Sequence, residues 1–305
     1  MDAIERNLLE QVSGIHEVPT GAYSLRINGK LVGKNSSENI EVVKKEDKPG
    51  IDIYIKPGTK NESVHIPVII AETGIKELVY NDFHIGEDCD VTIVAGCGIH
   101  NGGSADSEHS GIHCFYLEKN AKVKYIEKHY GEGDGNGQRF MYPTTIVELG
   151  ENAYLEMETT QIRGIDSTKR VTQGKVGPGA TFIVHEKILT HGSQYAETGF
   201  DVTLDGADSK THVISRSVAK ENSHQLFKSK IDGNNRCSGR SECDAIIMDS
   251  AVVSAVPEIN ANHPEASLVH EAAIGRIAGE QLIKLMTLGL TEKEAEEQII
   301  NGFLK

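Results

Sequence analysis

Tryptophan is missing from this 305-residue chain, and phenylalanine and tyrosine bring the aromatic share to only 5%. Cysteine is sparse and odd in number, at five, and the opening Met1-Asp2-Ala3-Ile4-Glu5-Arg6 lacks the basic-then-apolar order of an export signal. A disulfide framework is therefore not expected, and the thiols are left to pack, bind metal or react. Basic residues are in deficit: 31 Lys and Arg against 45 Asp and Glu give a net charge of −14. Such a surface repels phosphate backbones and anionic lipid, which argues against nucleic acid and membranes as partners. No stretch approaches the roughly 18 apolar residues of a membrane span. These absences point to a soluble, cytoplasmic protein.

What is present is small and turn-rich: 31 glycines and 38% hydrophobic residues, enough for a folded chain of one or two domains. Ile4, Leu8, Leu9 and Val12 fall at helical spacing before Ser13-Gly14. From Tyr23 onward the pattern becomes that of strands, with alternation at Tyr23-Leu25-Ile27, Ile51-Ile53-Ile55 and Val64-Ile66-Val68. A turn, a small residue and a strand then recur, the small residue standing at Cys89, Ala121, Ala153, Ala180 and Ala207. Intervals of 27–32 residues predict a coil repeated along an axis, each holding two or three short strands. The expected fold is mainly β: a parallel β-helix (β-solenoid) over 21–262, after an N-terminal helical segment over 1–20. A β-sandwich is the competing architecture.

After Pro264 the spacing of Leu268, Ala272, Ile277, Leu282, Leu285 and Met286 predicts a helix that stops at Gly289. Thr291-Glu292-Lys293-Glu294 reads as a capping box opening a second helix through Ala295, Ile299, Ile300 and Phe303. This C-terminal hairpin, 263–305, is too small to fold alone and is expected to cap the solenoid end or to pack on another protein.

Two groups of residues carry candidate chemistry. The first is Cys97, His100, His109 and His113, around a Gly/Ser-rich loop whose thiol and imidazoles suit zinc or iron. Cys114, next to Phe115-Tyr116-Leu117, reads as a buried structural cysteine. The second is Cys237 and Cys243 with His270 and Glu271, the last two expected at or just before a helix start. Thiolate, imidazole and carboxylate suit a metal site or a sulfur-handling nucleophile. Gly206-Ala207-Asp208-Ser209-Lys210-Thr211 ends like a phosphate loop but lacks its spacing and reads as a plain turn, so no nucleotide is expected on this chain.

Several stretches in the C-terminal third resemble the SufB/SufD family of iron–sulfur cluster assembly scaffolds. They are Phe227-Lys228-Ser229-Lys230-Ile231, Glu242-Cys243-Asp244-Ala245-Ile246-Ile247, Val269-His270-Glu271-Ala272-Ala273-Ile274-Gly275, Glu280-Gln281-Leu282 and the ending from Leu288-Gly289-Leu290 to Phe303-Leu304. The likeness is dense over 225–305 and looser over 80–220. It implies a right-handed parallel β-helix and a non-catalytic scaffold, paired with itself as a homodimer or with a related scaffold subunit. It also implies a SufC-like ABC ATPase docked on the C-terminal helices, for which Leu282, Leu285, Met286, Ile299 and Phe303 are the candidate contacts, along with a sulfur donor and apo-protein recipients.

On the same resemblance, His270 and Glu271 match functional residues of the family, with Cys237 or Cys243 as the accompanying thiol of a transiently held iron–sulfur cluster. This chain departs from the family at Ala251, which stands where SufB has a cluster-building cysteine, and in the near absence of the large N-terminal helical region. It reads as a short, single-scaffold variant. The rivals are a cluster-free adaptor for the ATPase and a β-helix carbohydrate lyase, the latter disfavoured by the dearth of aromatic rings.

Overall fold

The computed structural model describes residues 1–305, the side chain of Arg163 excepted. Helix α1 (Ala3–Ser13) opens the chain, and Leu8, Leu9 and Val12 form its buried face. Asp2 and Glu5 each accept a hydrogen bond from the other's backbone N–H, and Gly14 ends the helix at φ 69°. Two antiparallel pairs follow, β1 (Ala22–Ile27) with β2 (Lys30–Asn35) and β3 (Ile40–Lys44) with β4 (Gly50–Ile55).

The next strands are β5 (Lys60–Ile70), β6 (Lys76–Ile85), β7 (Asp90–His100), β8 (Ser107–Leu117), β9 (Lys122–Glu132), β10 (Arg139–Met141), β11 (Thr144–Leu149) and β12 (Tyr154–Arg163). The series closes with β13 (Ser167–Val176), β14 (Thr181–Thr190), β15 (Tyr195–Leu204), β16 (Ser209–Ala219), β17 (His224–Gly233), β18 (Cys237–Ile247), β19 (Val252–Ala261) and β20 (Ala266–Gly275). From β4 onward consecutive strands alternate between two sheets, except β10 and β11, which share the second. The first sheet runs β2-β1-β5-β7-β9-β12-β14-β16-β18-β20 and the second β19-β17-β15-β13-β10-β8-β6-β4-β3, with β11 also bridging β8 and β13. The protein is a mainly β solenoid of about eight turns, with two long strands in most coils.

Alternation along each strand sends every second side chain into the lumen, and register stacks these in rows along the axis. One row of the first sheet is Ile93, Tyr125, Met157, Val184 and Val213, all buried. The corner before this sheet uses two devices. Asp88, Asn120, Asn152, Gly179 and Asp208 adopt φ between 55° and 64°, the left-handed region that short polar residues and glycine tolerate. A small buried residue follows each: Cys89, Ala121, Ala153, Ala180 and Ser209. The fifth copy is therefore Ser209 rather than Ala207, and Cys237, in register with Ser209, is the sixth.

The helix expected from Leu268 onward is corrected by strand β20, which carries the solenoid to Gly275, beyond residue 262. Leu268, His270, Ala272 and Ile274 are spaced by two as well as by helical steps. The ten-residue ladder with β18 decides between the periods in favour of the strand. The C-terminal hairpin is shorter, α2 (Gly279–Met286) and α3 (Glu292–Phe303), and the capping box between Thr291 and Glu294 is present.

Both ends of the chain return to the outer surface of the first sheet. Helix α1 lies over Gly96 and Gly98, where a Cβ would meet the Val12 carbonyl at 2.7 Å and the Leu8 Cβ at 3.1 Å. Helix α3 packs Ile300, Leu304 and Phe303 against Leu189, Val218, Ile246 and Met248 on β14, β16 and the end of β18. The expected end cap is therefore a clasp on the side wall. The final coil is exposed along its length, with Val252, Val256, Ile259, Val269 and Ile274 between 37% and 54% accessible.

Candidate functional site

The lumen is apolar at one edge and polar through its middle. A single row of the first sheet reads Ala95, Glu127, Thr159, Glu186, Ser215, Cys243 and Ala272. Facing it from the second sheet, Arg170 is 3% exposed and forms an ion pair with Glu127. The Glu127 carboxyl is pushed up by burial but held well below the usual range by Arg170, with His129 assisting. Tyr125 donates to Glu127 at 3.0 Å and lies 2.8 Å from His113 Nδ1, while Asn81 Nδ2 lies 3.3 Å from His113 Nε2. Since the tyrosine proton goes to the carboxylate, His113 donates from Nδ1 and accepts from Asn81 at Nε2. Burial, against the pull of Glu127, lowers the His113 imidazole to about 4.

Further along the row, Glu186 accepts from Thr198 at 3.1 Å and Ser215 at 2.9 Å on one oxygen. Its other oxygen has no hydrogen-bond partner and lies 3.8 Å from Arg170 Nε. Burial raises this carboxyl, with Arg170 opposing. Next but one in the row is Cys243, 1% exposed, its thiol pushed up to about 12 by burial and then by the charges of Glu186 and Asp244. One row over, Ser241 is in register with His270, so His270 enters the lumen beside the Cys243 rung. His270 Nδ1 and the Ser241 hydroxyl are buried atoms without a partner.

The four residues singled out in the C-terminal third thus separate. Cys243 and His270 share the lumen at its C-terminal end. Glu271 alternates to the outer face, where Arg240 donates to it at 2.6 Å and also pairs with Glu242, which His212 meets at 2.9 Å. Cys237 lies six residues from Cys243 on the same strand, about 20 Å away. It holds the small-residue corner that alanine holds in three other coils, and this accounts for its burial. Ala251 is buried at the opposite corner, following Asp249 at φ 53°.

The N-terminal group also divides. Cys97, His109 and His113 line one lumen cavity of about 10 Å³, room for one water, beneath the missing side chain of Gly111. His100 points outward, 3.5 Å from Glu132. The Cys97 thiol is raised well above its ordinary value by burial and by Glu77 and Glu127. Cys114 is half-exposed on the outer face rather than buried: Phe115 occupies the lumen, so its neighbour must alternate outward, beside Asp82 and Tyr116. Among the described residues, no three His, Cys, Asp or Glu side chains converge as a metal-holding set. Glu127, Arg170 and Glu186 were missed by spacing arguments, yet their phase identifies them, since each stands an even number of residues from an apolar lumen position: Val123, Val176 and Phe182.

On the hairpin, Leu282 and Leu285 are half-buried, while Met286 at 42%, Ile283 at 62% and Leu288 at 77% are exposed. Ile299 is half-buried, and Phe303 faces the solenoid's own wall.

The family model for the SufBD core domain of the SUF system of FeS cluster assembly matches residues 78–303. The chain belongs to the SufBD family. Curated relatives bear this out. An iron–sulfur cluster assembly SufBD family protein of Archaeoglobus fulgidus is 28% identical over 280 residues, covering 90% of this chain and 73% of the relative. One from Methanocaldococcus jannaschii is also 28% identical over 280 residues, 90% and 87% respectively. Another from Pyrococcus horikoshii is 27% identical over 281 residues, 90% of this chain and 84% of the relative. SufBD membership supports a role in iron–sulfur cluster assembly. No helix among the described residues is long and apolar enough to cross a membrane.

Proposed function

We propose that this SufBD protein is a non-catalytic scaffold on which iron and sulfide are held transiently, at the C-terminal end of the lumen, before transfer to apo-proteins. The observation that carries the reading is the juxtaposition of the Cys243 and His270 rungs one strand from an uncovered solenoid end. Mixed thiolate and imidazole ligation suits release better than four thiolates would. A second copy seated on the final coil, whose exposed valines and isoleucines are unpartnered within the chain, would complete the ligand set. The α2–α3 hairpin is the docking element for a SufC-like ATPase, and Ile283, Met286 and Leu288 present the apolar contacts in place of Ile299 and Phe303. Sulfur reaches the site from a separate donor.

Anaerobic reconstitution with iron and sulfide tests the site. Cys243→Ser and His270→Ala should each lower retained iron, whereas Cys237→Ser should not. Equal iron in Cys243→Ser/His270→Ala and the parent would refute the assignment. A cluster-free adaptor is the second reading, favoured by the deep burial of Cys243 and by Ala251. It predicts stimulation of the ATPase by a purified, oxygen-protected protein that carries no iron.

A further inference from the structure

Helices α1 and α3 clasp the same outer face of the first sheet and leave one of its strands bare. Leu8 lies over Gly98 and Val12 over Gly96, so α1 runs along β7, in the opposite direction. Its flanks rest on Ile69 of β5 and Tyr130 of β9. The last turn of α3 is centred on Val218 of β16, between Leu189 of β14 and Ile246 of β18. In the order β7-β9-β12-β14-β16, β12 alone lies under neither helix. The two helices are thus four strand spacings apart, about 19 Å. Packed helices stand about 8–10 Å apart, so the opening admits one more helix, in contact with both. Its floor is the outward face of β12. Ile162, 40% exposed, projects there, and a cavity opens on each side of it: about 340 Å³ over Glu156, Glu158 and Thr160, and about 370 Å³ at the corner past Gly164. From Glu156 to Ile162 the floor runs about 20 Å, the length of a helix of about 13 residues.

Charge restricts what can lie there. Thr160 is in register with Lys128 on β9 and Lys187 on β14, and Lys187 with Arg216 on β16. Three cations therefore cross the opening in one row, on a protein of net charge −14. Lys187 donates to the Lys305 carbonyl at 2.8 Å, whereas the Lys128 and Arg216 side chains are exposed and have no hydrogen bond or ion pair among the described residues. The floor's own carboxylates are already met, Glu158 by Lys124 at 2.8 Å and Glu156 by Tyr154 at 2.9 Å. Asp134, at the far corner, is unpaired among the described residues, so the opening is basic along its floor and acidic only at one tip. We infer that this opening is a docking site for an acidic amphipathic helix of a partner protein, laid along β12 with its apolar stripe on Ile162 and its carboxylates against Lys128 and Arg216. A second copy of this chain offers no such helix. The apolar faces of α1 and α3 are buried on their own wall, and α2 has eight residues, about 12 Å, with Lys284 beside its exposed Ile283. The inference stands apart from the scaffold reading, since helix binding needs neither iron nor thiol.

The probe is a lactam-bridged peptide of about 14 residues with Leu at i, i+4, i+7 and i+11 and Glu on both flanks. Fluorescence anisotropy follows its binding to the full-length protein. Ile162→Lys and Lys128→Glu/Arg216→Glu should each weaken binding about tenfold or more, and all three positions are exposed, so the fold is kept. A peptide with Lys in place of Glu should not bind. Ile283→Lys/Leu288→Lys, on the hairpin, should bind the acidic peptide like the parent. The inference is overturned if the acidic peptide does not bind, if the lysine peptide binds equally, if Ile162→Lys binds as tightly as the parent, or if the hairpin variant loses binding. Sedimentation of the protein alone checks the identity of the occupant. Its state of association should be the same in Ile162→Lys and the parent; a dimer lost in Ile162→Lys would refute a partner helix in favour of a second copy.

Discussion

Replacing Arg170 by methionine should destabilise the solenoid by about 3–5 kcal/mol, the usual cost of leaving one half of a buried ion pair. The Arg170 and Glu127 side chains are 3% and 4% exposed, and without the guanidinium the nearest basic group to the Glu127 carboxylate is His129 at 3.5 Å. Glu186 would lose at the same time the guanidinium that opposes the rise of its carboxyl. For a chain of this length each kcal/mol lowers the melting temperature by about 2 °C, so circular dichroism should register a fall of about 6–10 °C.

The effect carries a pH signature. In the parent, Glu127 is held well below the ordinary carboxylate range, so its contribution is complete above the unfolded value of about 4.3 and disappears as pH drops through the folded one. In Arg170→Met, burial raises the same carboxyl, which is easier to accommodate once protonated. The gap between the parent and the variant should therefore close on acidification. Glu127→Gln/Arg170→Met removes both charges and should recover most of the loss. The reasoning fails if the single variant lies within about 1 kcal/mol of the parent, or if the double variant is no better than the single.

Three shorter predictions follow from other parts of the molecule. Gly96→Ala should push α1 off the first sheet, since the new methyl would meet the Val12 and Lys128 carbonyls at 2.7 and 2.8 Å; faster proteolytic loss of the N-terminal segment reads it out. Cys237→Ala should change stability by less than about 1 kcal/mol in urea, because alanine fills the same corner elsewhere. The His113 ring should stay neutral to about pH 4 by NMR. Because that pKa lies below the unfolded value of about 6.5, its linkage costs nothing above pH 6.5 and erodes stability between the two values. His113→Gln should flatten that part of the stability curve.

The solenoid was legible because its corners are chemically restricted: Asn120-Ala121 and Asn152-Ala153 each pair a left-handed position with a buried small one. Register carries the small-residue half of that pattern three coils further, to Cys237 opposite Ser209, without a left-handed residue before it. In sequence its thiol groups with Cys243, His270 and Glu271, and only the register with Ser209 reveals it as a corner. His270 and Glu271 were legible as chemistry but not as geometry. The run Val269-His270-Glu271-Ala272-Ala273 suits a helix locally, and pairing with β18 fixes it as a strand. That strand sends the two side chains to opposite faces, which no count of sequence separation reveals without knowing the period. The lumen charges stayed hidden for a related reason: Glu127 and Arg170 look like surface residues until their phase with Val123 and Val176 is set.

Regular stacking also turns the protein into a ruler. Cys97 on β7 and Cys243 on β18 are separated by five strand spacings, about 24 Å along the axis. Excising one whole coil, cut between equivalent corners, would bring the two thiols about 4.8 Å closer while each kept its own walls. Inserting a single residue within a strand would instead turn the rest of that strand inside out. Length in this architecture is adjustable in whole coils and in no smaller unit.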